Sequence, residues 1–142
     1  MTSAGQDLFV YGTLRRAGGH AMAQFLAGQA RRIGPGKVRG RLYDLGSYPG
    51  LVEARAENEW VHGEIYELPQ PAETLAVLDR YEGCGPEDRP PLLFERRAAP
   101  VILPKGEVRS CWVYFYRGQV SENQRIISGD YADAGQQARI PK

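Results

Sequence analysis

The stretch VRSCWVYFYRG, residues 108–118, puts the tightest limit on the fold. A strand points successive side chains to opposite faces, so Trp112, Tyr114 and Tyr116 share one face while Cys111, Val113 and Phe115 share the other. Both faces are large and apolar. A strand that must be covered on both sides needs a second layer, either helices laid on a sheet or the interior of a closed barrel. At 142 residues the chain is long enough for one such core and one pocket, and a single domain over residues 1–142 is expected.

Further strand signals surround this one. DLFVY (Asp7 to Tyr11) is a short apolar run, and KVRGRLYDL (Lys37 to Leu45) and EWVHGEIYEL (Glu59 to Leu68) alternate. LLFERRAAPVIL (Leu92 to Leu103) contains Pro100, which has no N–H to give a ladder and predicts an edge strand or a bulge. Two helices are expected. One runs from His20 to about Ala27, with Met22, Phe25 and Leu26 at helical spacing and Gly28 as its stop. The other is PAETLAVLDRYEG, with Pro71 in the first turn, Glu73 near the positive end of the dipole and Gly83 as the stop. GSYPGLV (Gly46 to Val52) predicts a tight turn centred on Pro49 and Gly50, and residues 121–142 predict a largely irregular tail. Mostly consecutive strands with few helices define an α+β domain with a mixed sheet, open or closed.

Composition narrows the function. A net charge of +1 gives no field for polyanions, so nucleic-acid binding by the whole chain is disfavoured. No apolar run approaches the roughly 20 residues that cross a bilayer, and the first residues lack the order of a signal peptide, so a cytoplasmic location without membrane attachment is expected. Cys84 and Cys111 make no disulfide framework and no zinc pattern, His20 and His62 have no spaced ligand set, and no metal or cofactor is implied. Cys84 lacks any local group that would make it a thiolate nucleophile. The basic residues Arg31, Arg32, Lys37, Arg39 and Arg41 read as a solvated face.

The second helix carries the sharpest chemical argument. Leu75 and Leu78 define its inward stripe, and Glu82, seven residues after Leu75, falls between them in angle. A carboxylate aimed at the core from the last turn meets both desolvation and the negative end of the dipole, and each raises its pKa toward the range of a general acid/base. The alternative is a helix that unwinds at Tyr81 and leaves Glu82 in water. A second constellation is YGTLRR, residues 11–16, after the first strand: Gly12 permits a bend through which the N–H groups of Thr13 and Leu14 converge as an anion-binding nest, with the Tyr11 and Thr13 hydroxyls as further donors. A strand-ending turn capped by Thr13 accounts for the same residues.

Taken in order, FVYGTLRR, GSYPGLV, GEIYEL, LDRYEGC, CWVYFYRG and SGDY resemble the γ-glutamylcyclotransferase-like family, which includes γ-glutamylamine cyclotransferase and the plant avirulence-induced-gene proteins. The resemblance covers nearly the whole chain. It implies a small mixed β-barrel of about six strands with few helices, and an enzyme that releases 5-oxoproline and an amine from a γ-glutamyl amide without a cofactor. It assigns the catalytic carboxylate to Glu82, γ-glutamyl binding to Tyr11, Gly12, Thr13 and Leu14, and closure of the pocket to Tyr114 or Tyr116, with Tyr114 preferred. Many members carry Tyr-x-Arg after the helix; this chain has Phe94, Glu95 and Arg96, which removes a hydroxyl from the rim. A binding module for a small carboxylated metabolite is the alternative to an enzyme.

Overall fold

A computed structural model describes residues 6–11, 21–46 and 48–131. Its strands are β1 (Asp7–Val10), β2 (Arg31–Arg39), β3 (Arg41–Asp44), β4 (Pro49–Val52), β5 (Trp60–Glu67), β6 (Phe94–Ile102), β7 (Val108–Tyr116) and β8 (Arg125–Ile126), and its helices are α1 (Ala21–Gln29) and α2 (Pro71–Glu82). Five strands close into a barrel in the order β1-β5-β2-β6-β7. Neighbours run antiparallel except at the seam, where β1 meets β7 in parallel with Leu8 opposite Trp112. The remaining three strands form a separate sheet, β4-β3-β8, so the barrel holds one strand fewer than the six expected.

The double-faced burial of β7 is resolved by two cores. Cys111, Val113 and Phe115 point into the barrel with Phe9, Val38, Val61, Ile65 and Val101. Tyr114 faces outward with Leu8, Leu26, Leu68, Leu75 and Leu78, under the two helices, and Trp112 and Tyr116 pack against that layer. The seam between β1 and β7 therefore lies between barrel interior and helix layer.

Several expectations need correction. The stretch from Lys37 to Leu45 is two strands: the chain turns a corner at Gly40, whose N–H donates to the Glu59 carbonyl at 3.1 Å. A Cβ on Gly40 would sit 2.9 Å from the Val52 carbonyl oxygen, so only glycine lets the chain leave the barrel so closely. Pro49 and Gly50 lie in β4, with Asp44 opposite Pro49; the turn falls earlier, where the Leu45 N–H donates to the Tyr48 carbonyl at 3.0 Å and Gly46 takes φ 108°. Helix α1 runs through Gly28 to Gln29, because Gly28 keeps a helical φ and stops nothing. The edge expected at Pro100 is present, without a bulge: Pro100 pairs only with Ser110 of β7, because β6 meets β2 only beyond it, at Val101 and Ile102. Residues 121–131 are not an irregular tail: Glu122–Gln124 form a single 3-10 turn with a capping box on Ser121, and β8 buries Ile126. Residues 132–142 lie outside the described residues.

Glu59 fastens the small sheet to the barrel. Its Oε2 accepts from Arg41 of β3 at 2.7 Å and from Arg125 of β8 at 3.1 Å, and its Oε1 accepts the N–H groups of Arg55 and Ala56 at 2.7 and 3.1 Å. The bond from Arg41, then that from the Arg55 N–H, lowers its pKa to about 2. Arg41 is thus an interior clasp, whereas Arg31 and Arg32 do lie on an exposed face, paired with Glu67 and Glu64. Among the described residues no helix is long and apolar enough to cross a membrane.

Gly63 of β5 fixes where β1 ends. A Cβ there would overlap the Val10 carbonyl oxygen and approach Phe9 Cζ to 2.6 Å. Gly63→Ala is expected to lose about 2 kcal/mol or more through overpacking. Gly28→Ala, with no atom within 4 Å of the new carbon, is expected to gain roughly 0.5–1 kcal/mol from helix propensity. Urea unfolding midpoints of the two variants check both signs.

Candidate active site

Glu82 is the last residue of α2, and the way that helix stops determines where it points. Leu75 and Leu78 anchor the helix on the outer core. Gly83 then takes the left-handed conformation at φ 77°, its N–H donates to the Arg80 carbonyl at 3.2 Å, and the Cys84 N–H donates to the Asp79 carbonyl at 2.9 Å. This double bond pattern closes the helix without further turn, as glycine at that position permits. The carboxyl faces a cavity of about 470 Å³ lined also by Phe9, Val10 and Tyr11 at the end of β1, Tyr48 and Pro49 at the start of β4, Phe94 of β6 and Tyr114 of β7.

Burial, then the negative charge of Asp79 one turn earlier, push the Glu82 pKa up to about 7. No described residue donates a hydrogen bond to it that would offset the desolvation. Asp79 is held in place from two sides. Arg96 donates from Nε to Oδ1 at 2.8 Å and from Nη2 to Oδ2 at 3.0 Å, and the Tyr114 hydroxyl donates to Oδ1 at 2.6 Å. Arg96 in turn stacks 4.4 Å from the Trp112 ring centroid. A fixed negative charge beside a largely desolvated carboxyl holds the second group's pKa near neutral pH.

The structure brings Glu82, Tyr11 and Tyr114 around one cavity; Tyr116 is not among its lining residues. Gly12, Thr13, Leu14 and His20 lie outside the described residues. The tyrosine hydroxyls do not serve as free donors. Tyr11 donates to the Tyr114 carbonyl at 2.6 Å and accepts from the Leu51 N–H at 3.3 Å, and burial followed by the charge of Glu82 keeps it protonated. Tyr114 is likewise kept protonated by burial and its bond to Asp79. Both rings are walls, and both hydroxyls are structural links. Phe94 sits edge-on to Tyr116 at 5.3 Å, so the missing hydroxyl is replaced by an aromatic contact.

Burial, then Asp79, push the Cys84 thiol up to about 11, away from the thiolate form. His62 is exposed on β5, and the described residues contain no metal-sized group of His, Cys, Asp and Glu. The sequence reading missed Asp79. Its signal was present, since a residue three before Glu82 shares its helix face, but the partners Arg96 and Tyr114 arrive from strands that only the fold brings near.

A closed barrel thus holds the Glu82 carboxyl at an aromatic cavity walled by Tyr11 and Tyr114. Residues 8–133 match the family described as gamma-glutamyl cyclotransferase, AIG2-like, and the chain belongs to that family. It is 38% identical over 127 residues to a Vibrio cholerae protein named "Putative gamma-glutamylcyclotransferase", spanning 87% of this chain and 93% of that one. A Methanocaldococcus jannaschii protein of the same printed description is 30% identical over 129 residues, covering 89% and 95%. Among solved structures, an AIG2-like protein from Mus musculus superposes with TM-score 0.72 at 24% identity, covering 96% of both chains. A longer Bacillus subtilis protein superposes at 0.67 and 23% identity; this chain spans 94% of itself and 42% of that protein.

The raised pKa of Glu82 carries a stability consequence. A carboxyl whose folded pKa lies near 7 instead of 4.5 binds more protons folded than unfolded, so stability falls as pH rises through that window and levels off above it. The loss is about 3 kcal/mol at full ionisation. Glu82→Gln should therefore melt several degrees above the wild type at pH 8, with the gap closing at pH 5, as thermal melts at the two pH values will show.

Proposed function

We propose that this chain is a γ-glutamyl cyclotransferase that converts a γ-glutamyl amide to 5-oxoproline and a free amine. The observation that carries this reading is the Glu82 carboxyl, set in a cavity with its pKa raised to about 7. Family membership supports it. The reaction is intramolecular, so no protein nucleophile is needed. Glu82 takes a proton from the substrate's α-ammonium, the freed amine attacks the γ-carbonyl carbon, and a tetrahedral intermediate forms with a five-membered ring. The γ C–N bond then breaks as Glu82 returns its proton to the departing nitrogen and the oxyanion collapses to the lactam carbonyl, and the second proton shed by the ring nitrogen ends on the released amine as an ammonium. Atoms balance without water: one amide gives one lactam and one amine.

A single carboxyl serves both steps only if its pKa lies near the working pH, and burial beside Asp79 supplies that condition. The enclosed walls hold the folded conformer in which the amine lies near the carbonyl, a positioning effect worth several orders of magnitude in rate. In this reading the N–H groups of Thr13 and Leu14 after Gly12 receive either the α-carboxylate or the developing oxyanion. Tyr11 and Tyr114 contribute ring surface, and the Tyr114–Asp79 bond positions the helix end that carries Glu82.

Glu82→Gln is expected to lower 5-oxoproline release from γ-glutamyl amides by a factor on the order of 100 or more. Wild-type turnover in that variant would remove Glu82 from the mechanism, and thermal stabilisation by the amides without any product in the wild type would favour a binding module. In the pH profile of kcat/KM the acidic limb should lie near pH 7 and move lower in Asp79→Asn, because removing the adjacent negative charge lets Glu82 ionise more easily.

A further inference from the structure

Large apolar side chains exposed to solvent among the described residues are few, and three of them meet at one place. Tyr48 at 39% exposure, Tyr81 at 43% and Leu93 at 49% all line the Glu82 cavity. They come from the β3–β4 turn, the last turn of α2 and the loop before β6. Single exposed apolar residues are ordinary, but three converging from separate segments on one opening form a binding surface. The inner wall is different in kind: Phe9, Tyr11 and Tyr114 are buried there.

The charges at the same opening are Asp88 and Arg89. The Asp88 carboxylate accepts the Gly85 N–H at 2.8 Å and so braces its own loop. Arg89 has no ion-pair or hydrogen-bond partner among the described residues. The mouth thus offers apolar area and one charge of each sign, Asp88 and Arg89.

We propose that the leaving group is an amine with an aromatic or branched apolar body. This rests on the cyclotransferase reading, in which the glutamyl part occupies the buried end beside Glu82 and the departing amine extends toward the opening. An aromatic body there covers Tyr48, Tyr81 and Leu93 and removes their exposed area from water. A 4-aminobutyl body ends in an ammonium group that must keep its hydration, and so it covers less of that area.

The test compares γ-glutamyl benzylamide, γ-glutamyl methylamide and γ-glutamyl 4-aminobutylamide by 5-oxoproline release. The benzylamide should exceed the other two in kcat/KM by about tenfold or more, the size expected for burying one ring. The double variant Tyr81→Ala/Leu93→Ala should collapse the benzylamide-to-methylamide ratio toward one. Leu93→Ala alone, at a half-exposed position in the loop before β6, should lower the same ratio and tests the assignment even if the double variant folds poorly. An aminobutylamide turned over as well as the benzylamide, or ratios unmoved by the variants, overturns the proposal. If none of the three amides yields 5-oxoproline, the cyclotransferase reading falls by itself. Calorimetric titration of the same amides into Glu82→Gln then decides the mouth: tighter binding of the benzylamide upholds the apolar assignment, and equal affinities overturn it.

Discussion

Tyr114 joins the two layers of this protein through its two polar ends. Its carbonyl accepts the hydroxyl of Tyr11 at the end of β1, and its own hydroxyl donates to Asp79 in the helix that carries Glu82. The barrel seam and the helix layer are therefore registered against each other at one residue. That residue is buried because β7 has core on both faces. Loss of either bond would leave a buried polar group unpaired, so the cavity's geometry is tied to the stability of the fold itself.

What could be read from the sequence depended on how local the physics was. The helix α2, its start at Pro71 and its left-handed stop at Gly83 follow from residues within one turn of each other, and so does the inward aim of Glu82. The two faces of β7 were equally plain, because alternation needs no partner to be seen. Gly40, Gly50 and Gly28 misled for the opposite reason. A glycine marks either a turn or a close approach, and only the tertiary neighbours decide which: Gly40 lies against Val52 and makes a corner, Gly50 lies against Leu45 and Tyr116 inside a strand, and Gly28 meets nothing. The same limit hid the partners of Asp79, since Arg96 and Tyr114 lie 17 and 35 residues away in the chain.

The site separates a fixed part from an adjustable one. Glu82, Asp79 and the two tyrosines are tied into helix, seam and strand by hydrogen bonds or burial. The outer rim comes from a turn and a loop, the segments that accept substitution with least disturbance to a core. A family built on this scaffold can keep the inner wall while changing what stands at the rim.

The parallel seam has a consequence for how the protein comes into being. Leu8 pairs with Trp112, and the Tyr11 hydroxyl bonds to a carbonyl 103 positions later. A ribosome releases the first strand long before its partner, so that strand must wait, either loosely attached to β5 or shielded by chaperones, until the late strand emerges. A fragment that stops before β7 lacks Tyr114 and with it both the seam and one wall of the cavity.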